Sequence, residues 1–182
     1  MDDGTFHIVP FFWLPKLTAQ ERQKKDKVPY LEWASQGHIE LTEGDVQDYD
    51  FIRKKINDIG HDYMIKEICY DRWNSSQLVV QLIDDGANMS PFGMGYVSQS
   101  APTKEMEKMV LKKLLVHGNN PVLRWQMQNV QLRIDPASNC KVDKKRSSEK
   151  VDGVISTIMG IGSWMLSDTK GSVYDQRGII SL

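Results

Sequence analysis

The sequence predicts a single domain of the α/β class, and three observations support this prediction. Short runs of β-branched and aromatic residues alternate with stretches in which apolar residues recur every three or four positions. Gly or Pro follows many of these segments, as is typical of the ends of helices and strands. The length of 182 residues suits one core rather than two. We therefore expect a sheet flanked by helices.

Strands are predicted where residues that favour a pleated surface stand between turn residues. The first strand follows Asp3-Gly4, a strong signal for a hairpin turn, and ends at Pro15. The predicted strands cover residues 5–14, 39–41, 64–70, 88–92 and 130–134.

Helices are predicted from apolar residues at helical spacing. Glycines are expected to end three of them, at Gly37, Gly60 and Gly118. In the first, Tyr30 and Trp33 should face inward. The predicted helices cover residues 29–36, 49–59, 74–84, 103–117 and 121–128, with a short helix or mobile segment at 18–27.

The last predicted helix begins after Ser147 or Ser148 as its N-cap and ends near Leu166. From Ser167 the periodicity is lost, so we expect a domain over residues 1–166 and a loose C-terminal tail over 167–182. The buried face of this helix is predicted to comprise Val151, Val154, Ile155, Ile158, Met159 and Gly162.

Composition and charge argue against several classes of protein. A formal net charge of -1 is unlike a protein that coats nucleic acid through bulk charge. Cys69 and Cys140 are far apart, and the histidines lack zinc-ligand spacing, which indicates a reducing cytoplasm and no structural zinc. The longest apolar run, residues 6–14, is far shorter than the roughly 20 residues that cross a bilayer, and no signal peptide is recognisable.

Two aspartates are candidates for binding a metal ion. Asp71 follows a predicted strand at the sheet edge where α/β proteins place ligands, although its position by itself favours a cap for the helix after it. Asp152 lies beside the apolar stripe of the last helix, although an acid near a helix N-terminus is also favourable by itself. If both converge on one sheet edge, they supply the minimum of hard oxygen ligands for a divalent cation.

Other polar and aromatic positions carry weaker signals. Glu67 would share a strand face with Asp71 and could be a further ligand, or it could simply face solvent. Trp73 and Trp125 are expected to be core or rim aromatics, and residues 117–121 a helix stop and a turn. A basic cluster precedes Asp152 and could contact phosphates or remain a solvated face. Its members are Lys141, Lys144, Lys145, Arg146 and Lys150.

The chain resembles the nuclease domain of the large terminase subunit of tailed phages. Several segments carry the resemblance, in the family's order, and together they cover nearly the whole chain to about residue 166. They are FFWLP at 11–15, YLEW at 30–33 with the following glycine, YDRWN at 70–74, PTKEME at 102–107, HGNNPVL at 117–123, NV at 129–130 and KVDGV at 150–154.

The resemblance implies an RNase H-like mixed sheet flanked by helices, in which acidic residues hold two Mg²⁺ or Mn²⁺ ions. Asp71 is similar to the family's second carboxylate and Asp152 to its last, and Lys144, Lys145 and Lys150 are candidate DNA contacts. The family's first carboxylate lies on an opening central strand. We expect that strand to be absent here, because Asp3-Gly4 has no strand before it to turn from.

The resemblance further implies an endonuclease that cuts concatemeric viral DNA during genome packaging, in the cytoplasm of a bacterial host. Expected partners are double-stranded DNA, the terminase ATPase domain, the small terminase subunit and the portal protein, but no membrane. The ATPase's phosphate-binding loop motif does not occur in the sequence. With two of the expected carboxylates, cleavage by this chain alone should be weak or absent.

Three rival interpretations stay open. The chain could be a catalytically inert module that binds DNA or protein, or a prophage remnant that is inert until a separate chain supplies the first strand and motor. It could also be another RNase H-like nuclease, such as a junction resolvase. Without a central strand, residues 5–14 and 64–70 should either pair with each other directly or drive association between chains.

Overall fold

The structure is a computed structural model that describes residues 4–72 and 76–172, with Ser76 and residues 168–172 described by their backbone alone. The strands are β1 (Phe6–His7), β2 (Trp13–Pro15), β3 (Glu40–Thr42), β4 (Ile68–Asp71), β5 (Met89–Phe92), β6 (Leu115–Val116), β7 (Leu132–Ile134) and β8 (Cys140–Val142). The helices are α1 (Lys16–Asp26), α2 (Tyr30–Ser35), α3 (Tyr49–Asp62), α4 (Ser76–Asp84), α5 (Tyr96–Leu111), α6 (Pro121–Asn129) and α7 (Asp152–Ser172).

Strand pairing in the described ranges forms four two-stranded sheets. Three are parallel, pairing β1 with β6, β2 with β3 and β4 with β5, and the β7–β8 hairpin is antiparallel. Direct pairing of the first predicted strand with residues 64–70, one of two expected outcomes, is therefore wrong, because β1 pairs with β6 and β4 with β5.

Helix α7 lies at the centre of the larger apolar core. The predicted stripe is confirmed, and Ile158 and Val154 are among the least exposed side chains. Helices α5 and α6 and strand β4 pack against α7. This core contains Phe92, Met106, Met109, Leu123, Val142, Val151, Val154, Ile155, Ile158, Met159 and Ile161.

A second, smaller core lies where α1, α2 and β3 meet α6. Tyr30 and Trp33 face inward there, as predicted, and Gly37 adopts a φ of 80° after the end of α2. Val122 of α6 belongs to this cluster, while its neighbour Leu123 belongs to the larger core. One short helix thus joins the two cores.

The first predicted strand is divided in the structure. Residues 8–12 separate β1 from β2 and belong to neither strand. Pro10 lies in this interval and has no N–H to donate to a neighbouring strand. Strand β4 likewise begins at Ile68 rather than residue 64.

Several predicted helix ends are wrong. Helix α3 continues through Gly60 and ends at Asp62. Helix α5 begins at Tyr96 and ends at Leu111, because Lys113 adopts a φ of 58° that a helix cannot continue. The chain then forms β6 where helix was expected.

The last helix also differs at both ends. It begins at Asp152, because the Ser147 and Ser148 hydroxyls donate instead to Asp143 O at 2.9 Å and to Asn129 Oδ1 at 3.1 Å. It continues six residues beyond Leu166, to Ser172, so residues 167–172 of the predicted tail are helical. Residues 173–182 lie outside the described ranges.

The β7–β8 hairpin is fastened to α5 by buried polar side chains. Gln99 Oε1 accepts from Val142 N at 2.9 Å, and Ser100 Oγ accepts from Cys140 N at 3.2 Å. These hydrogen bonds satisfy the β8 N–H groups that point away from β7. In the part of the chain that is described, no helix is both long and apolar enough to cross a bilayer.

Candidate active site

Asp152 is the first residue of α7, and its side chain is 67% exposed. The next residue is held firmly, because Gly153 N donates to Gln126 Oε1 at 2.5 Å. Gln126 is 5% exposed and projects from α6. The Asp152 carboxylate is therefore open to solvent, while the backbone next to it is held by a hydrogen bond to Gln126 of α6.

Gly153 allows the start of α7 to approach its neighbours closely. A Cβ at this position would lie 2.8 Å from the Phe12 ring and 2.9 Å from Gln126 Oε1, both closer than carbon side chains tolerate. Any larger residue would push the first turn of α7, and Asp152 with it, away from α6.

The basic cluster contacts Asp152 directly through one lysine. Lys144 Nζ lies 2.9 Å from Asp152 Oδ1, and both side chains are substantially exposed. The loop that carries Lys144 is anchored by Asp143, whose N donates to Gln131 O at 2.8 Å and whose Oδ1 accepts from Lys145 N at 3.1 Å. The ammonium group of Lys144 thus lies against the Asp152 carboxylate.

Lys150 and Asp152 line one cavity of 270 Å³. Most of its wall is apolar and aromatic, and Trp125 belongs to it as a half-buried residue. No local sequence pattern indicates this cavity. Arg22, which lies far away along the chain, is also part of its wall.

Asp71 ends β4 and is half-buried, with Phe92 of β5 as its parallel partner. The Phe92 ring packs against α7 at Gly162, where a Cβ would lie 2.8 Å from it. Gly162 is ten residues beyond Asp152, which corresponds to about 15 Å along a helix. The alternative role of Asp71, capping the next helix, involves residues 73–75, which lie outside the described ranges, as does Trp73.

Glu67 links β4, β5 and α7 rather than facing solvent alone. It accepts from Ser90 Oγ at 2.5 Å and from the hydroxyl of Ser163. Cys69 Sγ lies 3.9 Å from the same carboxylate, and burial raises the pKa of the Cys69 thiol, which keeps it protonated as a donor. Glu67 therefore fastens the strand that carries Asp71 to the middle of α7.

Across residues 4–72 and 76–172, no three or more His, Cys, Asp and Glu side chains are grouped so that they could hold a metal ion. Lys144 and Lys150 are gathered at Asp152, whereas Lys145 is exposed on the same loop. Asp71 lies on a strand pair that contacts α7 further along the helix.

Comparison with known families decides the relationship. The sequence model of the terminase large subunit, endonuclease domain, matches residues 1–168. The chain belongs to this family. Membership confirms the resemblance drawn from the ordered segments, and the nuclease-domain sequence extends through most of α7.

Two curated proteins are similar to this terminase nuclease domain. The large terminase subunit of Enterobacteria phage HK97 is 31% identical over 179 residues, which cover 97% of this chain and 34% of that protein. The protein YmfN of Escherichia coli strain K12 is 27% identical over 192 residues, covering 99% of this chain and 42% of that protein. The chain thus spans less than half the length of either relative.

Two solved structures are similar in fold. The crystal structure of the HK97 large terminase superposes with a TM-score of 0.83 at 31% identity, covering 90% of this chain and 34% of that one. The large terminase nuclease of thermophilic phage G20c superposes with a TM-score of 0.51 at 13% identity, over 64% of this chain and 62% of that one. The predicted class, a mixed α/β fold of the RNase H-like terminase nuclease type, is confirmed.

Proposed function

We propose that this terminase nuclease domain is a metal-dependent DNA endonuclease that cuts concatemeric viral DNA during genome packaging. The observation that carries the proposal is the family match over residues 1–168, within which Asp152 stands exposed on a firmly held helix start. Cleavage by this chain alone is proposed to be weak, because two carboxylates offset little of the charge of two dications.

Asp71 and Asp152 are proposed to hold Mg²⁺ or Mn²⁺, with two ions in the complete domain. The donors fit, because carboxylate oxygens are the hard ligands these ions prefer, and Mg²⁺ often uses one or two carboxylates with water and phosphate oxygens. The Asp152 side chain is 67% exposed and open to an incoming ion, which would have to displace Lys144 Nζ from Asp152 Oδ1, 2.9 Å away. When bound, such an ion supplies an activated water and neutralises developing charge on the phosphate.

The basic residues are proposed to hold the DNA backbone. Lys144 would leave Asp152 for a phosphate, and Lys150 beside it would fix the strand over the carboxylates. Lys145 is exposed on the same loop and would add a further phosphate contact. Because these contacts go to phosphates, they position the DNA without selecting its sequence.

The assembly context is also a proposal. The HK97 relative is a large terminase subunit, of which this chain covers 34%. By that relationship we infer partners that include double-stranded DNA, a terminase ATPase domain, a small terminase subunit and a portal protein. The compartment inferred with them is the cytoplasm of a bacterial host.

Mn²⁺ binding and plasmid nicking test the proposal together. Free Mn²⁺ is followed by its electron paramagnetic resonance signal in titrations of the wild-type chain, Asp152→Asn, Asp71→Asn and the control Asp58→Asn on the exposed side of α3. We expect Mn²⁺ affinity and slow nicking of supercoiled DNA to fall in the two site variants and to persist in the control. Mn²⁺ affinity that is equal in all four proteins would refute the assignment.

A second candidate function is a catalytically inert module that binds DNA or protein, as a prophage remnant would. Two observations favour it: no group of three metal-ligating side chains occurs among the described residues, and one relative is a protein of a bacterium, E. coli K12. DNA binding that is unchanged by EDTA, together with nicking at background level in Mn²⁺, would support this function over the nuclease.

A further inference from the structure

The cavity that Asp152 lines combines aromatic walls with two cations, Arg22 and Lys150, and the Asp152 carboxylate. Its volume is 270 Å³, at the small end of ligand pockets, which suits one ring system. The aromatic part of its wall comprises Phe12, Trp13, Tyr30 and Trp125. Aromatic side chains on one concave surface are typical of sites that stack planar ligands.

The aromatic walls are fixed by packing. The Tyr30 and Trp125 rings lie 6.1 Å apart and almost perpendicular, at 89°. Trp33, in the core behind them, lies 5.6 Å from Trp125. A ligand that entered would therefore meet surfaces already in place, at little cost in side-chain ordering.

Two cations contribute to the wall from distant parts of the sequence. Arg22 comes from α1, and Lys150 comes from the loop before α7. Within the described part of the chain, neither side chain has a carboxylate within ion-pair distance, whereas the nearby Lys144 is paired with Asp152. Two cations without a carboxylate partner beside several aromatic rings fit a ligand that has both a planar ring and a negative charge.

We propose that this cavity binds one unpaired nucleotide of the DNA, with its base among the aromatic rings and its phosphate at Arg22 and Lys150. The inference rests on the proposed function, because it names the part of the DNA substrate that lies next to Asp152. A nucleotide held there would position the neighbouring phosphate over the carboxylate, and unstacked or frayed strands would bind in preference to an intact duplex.

Binding measured in EDTA tests the cavity without cleavage. The probes are fluorescein-labelled duplexes with a three-nucleotide single-stranded overhang, the same overhang with abasic sugars, and a blunt end. The abasic overhang keeps every phosphate and lacks only the bases. We expect the wild-type chain to bind the natural overhang about tenfold more tightly than the abasic one, which corresponds to one stacked base.

Arg22→Ala and Lys25→Ala form a matched pair, because both remove one positive charge from α1 and only Arg22 lines the cavity. Arg22→Ala should weaken overhang binding about tenfold and reduce the slope of log affinity against log salt by about 0.7. Lys25→Ala should change neither. Thr18→Trp, which would fill the cavity, should abolish the preference for natural over abasic overhangs.

Equal affinity for the natural and abasic overhangs, or equal effects of Arg22→Ala and Lys25→Ala, would overturn the proposal. These outcomes are separable from failure of the nuclease function, which is measured by Mn²⁺ binding and nicking. If the chain nicks DNA but binds the natural and abasic overhangs equally, the nuclease function stands and the proposed nucleotide site is wrong. If the chain prefers the natural overhang but does not nick DNA, the nucleotide site stands and the chain is a catalytically inert binding module.

Discussion

Asp152 begins a helix whose second residue is fastened by a buried glutamine, whereas Asp71 ends a four-residue strand with one paired neighbour. The first position is fixed by close side-chain packing from α6 and Phe12. The second is fixed by backbone pairing with β5 and by the Glu67 contacts with Ser90 and Ser163. Changes of volume should therefore affect Asp152 most, and changes of polar contacts should affect the surroundings of Asp71.

The largest effect is expected from Gln126→Leu. It removes the acceptor of Gly153 N in a buried place, and an unsatisfied buried donor costs about 1–3 kcal/mol. Urea unfolding should show this loss, while Gln128→Leu on the exposed side of the same helix should leave the free energy of unfolding nearly unchanged. Equal stability of the two variants would mean that Gln126 does not hold the start of α7.

Gly153→Ala should destabilise by up to about 2 kcal/mol. Overpacking against Phe12 and Gln126 costs about 1–3 kcal/mol, and the gain from replacing a helical glycine, about 0.5–1 kcal/mol, offsets part of it. Gly160→Ala on the same helix is the control, because a Cβ there has open space and should stabilise. If thermal unfolding shows both variants stabilised alike, the close approach at Gly153 is not maintained in solution.

Lys144→Ala should change the free energy of unfolding by no more than about 0–1 kcal/mol, because the ion pair with Asp152 is exposed on both sides. Lys145→Ala on the same loop should behave in the same way. Chemical denaturation of both variants checks this. A large loss for Lys144→Ala alone would show that the ion pair, and not only the Gln126 hydrogen bond, supports the start of α7.

The smallest effect is expected for Asp85, which follows α4 and contacts Arg53 and Asn57 of α3. Arg53, with Asn57, lowers the pKa of Asp85 to about 2 from 3.8. The depressed pKa contributes stability above about pH 4, and this contribution is lost as the pH falls through about 2. Asp85→Asn should therefore destabilise slightly at pH 7 and converge with the wild type near pH 2, as measured by unfolding curves across this range.

Predictions from the sequence succeeded where local patterns agree with the tertiary structure. The α7 stripe, the inward Tyr30 and Trp33, and the turn at Gly37 follow from spacing and from backbone freedom at glycine. They failed at α5, whose first turns include Pro102 and are held by contacts of Gln99 and Ser100 with a hairpin 40 residues away. No local pattern reports such contacts.

The candidate site likewise contains residues that the sequence indicated and residues that it did not. Asp71 and Asp152 were expected from the sequence to bind metal, and that role stays a prediction. The ion pair between Lys144 and Asp152 was not predicted, although the two residues are near in sequence. Gln126 and Arg22 were missed, because each reaches α7 or its cavity from a segment distant along the chain. A polar residue among apolar neighbours, as Gln126 is in α6, was the one signal available.

The bonds from Gln99 and Ser100 to β8 have a consequence for the behaviour of the protein in solution. Two amide donors along the outer margin of the hairpin are already satisfied by side chains of α5. An extended segment from another molecule would have to displace both before it could join there. Strand addition is thus disfavoured along this edge of β8, because α5 already covers it.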